Sequence, residues 1–120
     1  MSDCNCNNNN LKLIYACSGA ANTGYLSDKI SRKLMSQGIG KMTCLAGVGA
    51  DLSGFIESAK SAEKNIVIDG CPVACGMLIF EKNKIPYEYY VLTNYGIEKG
   101  KTIITEEIID RISSEIANNI

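Results

Sequence analysis

The stretch Ile66-Val67-Ile68-Asp69-Gly70-Cys71-Pro72-Val73-Ala74-Cys75 constrains this 120-residue chain more than any other. Its β-branched run is short, apolar and bounded by a turn signal, the pattern of a fully buried strand. Asp69-Gly70 is the turn that leaves it. Pro72 suits the first position of a helix, where a missing N–H costs nothing. That register puts Cys71 at the N-cap and Cys75 four residues on, along the same helical face. The partial positive charge of a helix N-terminus suits sulfur that binds metals or attacks electrophiles.

The same strand, turn and helix pattern recurs along the chain. Leu11 to Ala16 reads as a first strand that delivers Cys17 at its carboxyl end. The small-residue loop Ser18 to Gly24 opens a helix from Gly24 to Gln37, with Leu26, Ile30, Leu34 and Met35 on one face and Gly38 as its stop. Lys41 to Ala46 reads as the second strand, with Cys44 near its end. A glycine loop, Gly47 to Ala50, follows it. Asp51 or Ser53 is then placed to cap a helix through Ala62. After the third strand, Asn65 to Asp69, a helix runs through Met77, Leu78, Ile79 and Phe80 toward Asn83. Glu88 to Thr93 is the fourth strand, and Thr105 caps a last helix to Asn118. Alternating strands and helices imply right-handed crossovers and a mainly parallel sheet covered on both faces. The expected fold is a three-layer α/β/α domain over residues 11–120, with about four strands in a flavodoxin-like order.

Composition removes several function classes. A charged fraction of 21% with net charge −1 is no footprint for nucleic acid. No run approaches the roughly 18 apolar residues of a membrane span. Met1 to Asn10 has neither the basic nor the apolar region of a signal peptide, and reads as a disordered polar tail. A cytoplasmic protein is therefore expected, where six cysteines are reduced, metal-bound or reactive rather than a disulfide framework. There is no histidine, so no Cys–His pair, no zinc–imidazole bond and no imidazole base. Cys4 and Cys6 form a C-x-C pair in the tail, read either as incidental thiols or as a metal-capturing or thiol-exchanging arm.

Placed on this scheme, Cys17, Cys44, Cys71 and Cys75 all fall at the carboxyl ends of consecutive strands. A doubly wound sheet binds its ligands at that edge, near the topological switch point. Four such sulfurs suit tetrahedral zinc, with Zn–S contacts of about 2.3 Å. The competing reading makes Cys44 a small buried hydrophobe. C-x-x-x-C with two distant partners is not a zinc-finger spacing. Ser18 to Gly24 has the look of an anion-binding turn after a cysteine, but Thr23 stands where a Cys-based phosphatase needs arginine. A G-x-x-x-x-G-K-[ST] nucleotide loop is absent, and Gly47-x-Gly49 is explained by tight strand–helix turning. Asp69 reads as a turn residue or helix-cap acceptor ahead of a third role, an outer-shell partner of a bound metal. Lys41, Tyr87, Tyr89, Tyr90 and Tyr95 read as ordinary sheet and surface positions.

Cys17-Ser18-Gly19, Lys41-Met42-x-Cys44-Leu45-Ala46-Gly47 and Ile68-Asp69-Gly70-Cys71-Pro72-Val73-Ala74-Cys75 together resemble the DGC-domain family, named for its Asp-Gly-Cys motif. The resemblance spans residues 11–118. It implies zinc binding, with ligands that fall by position on Cys17, Cys44, Cys71 and Cys75, and it implies no established reaction. Cys4 and Cys6 inherit nothing from it. Two function classes stay open. One is a zinc-binding domain, with an iron–sulfur cluster the less favoured occupant. The other is a cysteine-based redox or sulfur-transfer enzyme or carrier using a reactive thiol at the same place. Beyond a metal ion, no protein partner or small-molecule ligand is defined.

Overall fold

A computed structural model describes residues 11–120. The expectations for the tail and for Cys4 and Cys6 lie outside the described residues. Four strands, β1 (Lys12–Ala16), β2 (Lys41–Thr43), β3 (Lys64–Asp69) and β4 (Glu88–Val91), form one sheet in the order β2-β1-β3-β4. Every pairing is parallel, with Ile14 opposite both Met42 and Ile66. This is the flavodoxin-like order. Five helices complete the chain: α1 (Asn22–Ser36), α2 (Leu45–Gly49), α3 (Ser53–Ser61), α4 (Cys75–Asn83) and α5 (Glu106–Asn119). Among the described residues no helix is long and apolar enough to cross a membrane.

The central strands β1 and β3 are apolar on both faces because both faces are covered. Ile14, Ile66 and Ile68 point to one side and pack with Leu26, Ile30 and Leu34 of α1 and Ile109, Ile112 and Ile116 of α5. Leu13, Tyr15 and Val67 point to the other, against Val48 of α2, Ala59 of α3 and Phe80 of α4. The alternation along each strand thus sorts the helices into two layers.

Three local expectations change. β2 stops at Thr43, and Leu45-Ala46-Gly47-Val48 turns into a short helix instead of finishing the strand. Val48 gains complete burial by that turn, and Gly47 lies so close to the Phe55 ring that a Cβ there would stand 2.5 Å from it. Neither Asp51 nor Ser53 caps α3; Leu52 holds the N-cap position without a side-chain bond. β4 ends at Val91, where a 3-10 turn, Leu92–Tyr95, buries Leu92. Thr105 does cap α5, its hydroxyl accepting from the Ile108 N–H at 3.3 Å.

Candidate functional site

From β1 the chain crosses to β2 on one side, and β3 then lies on the other side of β1. The connections leaving β1 and β3 therefore depart to opposite faces, α1 on one and α4 on the other. Their divergence opens a crevice at the carboxyl edge. Cys17 extends the β1–β3 ladder by one bond, its N–H donating to the Ile68 carbonyl at 3.0 Å. Cys71 and Cys75 stand at either end of a tight turn after β3, closed by the Ala74 N–H on the Cys71 carbonyl at 3.1 Å. All three cysteines line one cavity of about 190 Å³, with the loop leading into α1 as its other wall.

The start of α4 differs from the sequence expectation. Cys71 is not its N-cap and Pro72 is not its first residue. The helix begins at Cys75, after Ala74 in the left-handed region at φ +62°. Asp69 takes over the capping. Its carboxylate is only 1% exposed, accepting from the Gly76 N–H at 2.9 Å and the Met77 N–H at 3.0 Å. These are orphan donors of the first helical turn, which need an acceptor when buried. One side chain thus ties the end of β3 to the start of α4, and the Cys71–Ala74 turn is the closed loop between those fixed points.

Gly70 completes the Asp-Gly-Cys logic. A Cβ there would lie 2.8 Å from the Thr23 backbone carbon, so glycine lets the start of α1 close against the end of β3. Gly76 is equally constrained, since a Cβ would sit 2.9 Å from the Asp69 Oδ1 that its own N–H bonds. The motif is a packing device that sets Cys71 beside the mouth of β1.

Electrostatics separate the thiols. Burial, then the charge of Asp69 and then Cys75, push the half-buried Cys17 thiol up to about 12. Without a metal, Cys17 keeps its proton near neutrality. Burial and the Asp69 carboxylate likewise raise the Tyr89 phenol above its ordinary value. Cys75 is exposed at the cavity rim. Cys71 is half-buried and faces a cation, the Lys99 Nζ, at 3.5 Å. Tyr89, expected as an ordinary sheet position, feels the Asp69 charge at the site, and Lys99 carries no sequence signal at all. Lys99 is one lysine among many, and its approach depends on a loop whose path no periodicity reveals.

Cys44 is neither in a strand nor buried. It is exposed at the N-cap position of α2 and opens onto a neighbouring cavity, which it shares with Cys17 and Ile79. Cys17 therefore borders both cavities. Three of the four predicted cysteines share one space and the fourth stands next door on the same sheet edge. Among the described residues, no three Cys, Asp or Glu side chains are grouped to hold a metal ion as they stand. The donor chemistry nonetheless fits a soft ion, since three thiols and no carboxylate line the 190 Å³ cavity.

Fold and site together define a doubly wound α/β protein with a cysteine-lined crevice at its topological switch point. The DGC domain description matches residues 13–116, and the chain belongs to that family. It is also similar to the anaerobic and virulence modulator AnvM of Pseudomonas aeruginosa strain PAO1, with 31% identity over 90 residues, 74% of this chain and 69% of that protein. Among solved structures none matches the chain.

Proposed function

We propose that this chain is a metal–thiolate protein that binds zinc through Cys17, Cys71 and Cys75, with Cys44 supplying the fourth sulfur. The observation that carries this reading is the convergence of three cysteines, from the ends of β1 and β3, on one cavity without carboxylates. Sulfur-only donor sets favour zinc among common divalent ions, and an iron–sulfur cluster is the less favoured occupant. A bound metal holds its sulfur ligands as thiolates, which would displace the Cys17 proton. Cys44, exposed at the start of a five-residue helix, is the ligand that has to move. The name of AnvM, an anaerobic and virulence modulator, fits a regulatory role for such a centre here, in a reducing compartment where thiols persist.

The test is zinc content after purification without chelator, paired with site-resolved alkylation. The expected result is one zinc per chain, with Cys17, Cys44, Cys71 and Cys75 protected until chelator is added. Metal-free protein whose Cys71 and Cys75 alkylate at once, with or without added zinc, would overturn the reading. One contact favours a second reading. Lys99 beside Cys71 suits a thiol that receives a soft electrophile, making the chain a sulfur or disulfide carrier.

A further inference from the structure

The loop between the 3-10 turn and α5, residues 96–104, packs onto the core through Ile97 and Ile104, and one side chain of α1 bonds its intervening backbone. Asn22 Nδ2 donates to the Glu98 carbonyl at 3.1 Å and to the Thr102 carbonyl at 2.8 Å. Asn22 Oδ1 accepts from the Gly100 N–H at 2.7 Å and from the Thr23 N–H at 2.9 Å. Within the loop the Glu98 N–H donates to the Thr102 hydroxyl at 2.8 Å, and Gly100 adopts φ +82°. Between the anchored Glu98 and Gly100 stands Lys99, and its Nζ is the cation that reaches Cys71 Sγ at 3.5 Å. Among the described residues no ion pair engages Lys99, although Lys101 in the same loop pairs with Glu98 at 3.5 Å. The cavity that receives Lys99 contains three thiols, no carboxylate and walls of small residues such as Gly19, Ala20 and Gly70.

We propose that Lys99, positioned by Asn22, is the anion-recognition residue of the cysteine pocket. The ligand class it selects is a small anion bearing a soft, sulfur-reactive centre, which meets Cys71. That selection deepens the site proposed above by naming what that site admits, and it rests on that reading only in taking the cysteine pocket as functional. An asparagine committed through both its amide atoms to the 96–104 loop is an expensive way to hold a surface lysine. Its effect is to fix one cation at one sulfur, where a free lysine on a four-carbon stem would spread its charge through solvent.

The probe pair is iodoacetate and iodoacetamide on metal-free, full-length protein, with rates read at each cysteine by peptide mass spectrometry. In both reactions the sulfur–carbon bond forms as the carbon–iodine bond breaks, iodide leaves and the thiol proton passes to water. The ratio of the two rates cancels the ionised fraction of the thiol and reports the field that the anionic reagent meets. A unit charge at this range in a solvated setting is worth about two- to fivefold in rate. The expected result is an iodoacetate preference of that size at Cys71 relative to Cys44, lost in Lys99→Met and retained in Lys99→Arg. Asn22→Ala should reduce it, because the loop is released while the lysine remains. An unchanged ratio in Lys99→Met, an exposed substitution that leaves the core untouched, would overturn the proposal. The metal reading is scored separately by zinc content. Wild-type protein purified without zinc but showing the anion preference would sink that reading and spare this one, and protein purified with zinc whose chelated form lacks the preference would do the reverse.

Discussion

β3 carries a buried polar side chain at each end, and the two are used in opposite ways. At the amino end Asn65 accepts from the Tyr15 hydroxyl at 3.1 Å and donates to the Ala59 carbonyl at 2.8 Å and the Pro86 carbonyl at 3.1 Å. Its hydrogen-bonding capacity is spent on joining β1, α3 and the approach to β4. At the carboxyl end Asp69 also joins two elements, β3 and α4. It does so at the edge of an open cavity, with Cys17 and Tyr89 close enough to feel its charge. A neutral amide bolts the amino edge together beside a cavity of about 320 Å³ that holds no cysteine. A carboxylate organises the other edge, where three thiols line the cavity.

The largest expected effect breaks the amino end. Asn65→Ala strands the Tyr15 hydroxyl and two carbonyls, and should cost about 3 kcal/mol in urea unfolding. Zinc content per folded molecule and the alkylation pattern should stay as in wild type. If the cysteines change reactivity with it, the two ends are not separable. Asp69→Asn should cost less stability, about 1–2 kcal/mol, because an amide oxygen can still accept from one helix N–H. Its signature lies at the site. With the carboxylate charge gone, Cys17 should alkylate faster at pH 8, although burial, the larger cause of its raised value, remains. Metal affinity should fall by about tenfold, the usual price of losing an outer-shell partner.

A smaller effect concerns the turn that presents Cys71. Ala74 sits at φ +62°, a region costly for any residue with a Cβ. Ala74→Gly should raise the stability by up to about 1 kcal/mol, measured by thermal unfolding. An equal loss would mean that the methyl group, only 6% exposed, contributes more by packing than it costs in strain. The smallest effect is on pH dependence. In the metal-free protein Cys17 holds its proton up to about 12, above the ordinary 9.0. That contribution to stability is fully present below the ordinary value and is lost as pH rises toward the folded one. Between pH 8 and 10, urea midpoints should therefore fall more in wild type than in Cys17→Ala.

Much of this was legible in the sequence, for identifiable reasons. The four strands follow from β-branched runs alternating with amphipathic helices, a pattern that only a covered parallel sheet satisfies, whereas the order of the strands carries no such signal. The shared location of Cys17, Cys71 and Cys75 is legible because each follows a strand, and a parallel sheet gathers such positions at one edge. Cys44 was placed at that edge but assigned to a strand, because an apolar run cannot itself distinguish a strand end from a short helix. The register at Cys71 was misjudged because a cap from the same strand, Asp69, lies six residues before the helix it serves. Lys99 and Asn22 were invisible. Their meeting spans most of the chain and depends on side-chain bonds to backbone, which carry no periodic signal.

The central claim is that the cysteines at the switch point act as one metal site, and X-ray absorption at the zinc edge tests it most directly. Zinc-loaded wild-type protein is expected to show a shell of four sulfurs at about 2.3 Å, falling to three in Cys44→Ser. A shell dominated by oxygen or nitrogen, or fewer than three sulfurs in the wild-type protein, would contradict it.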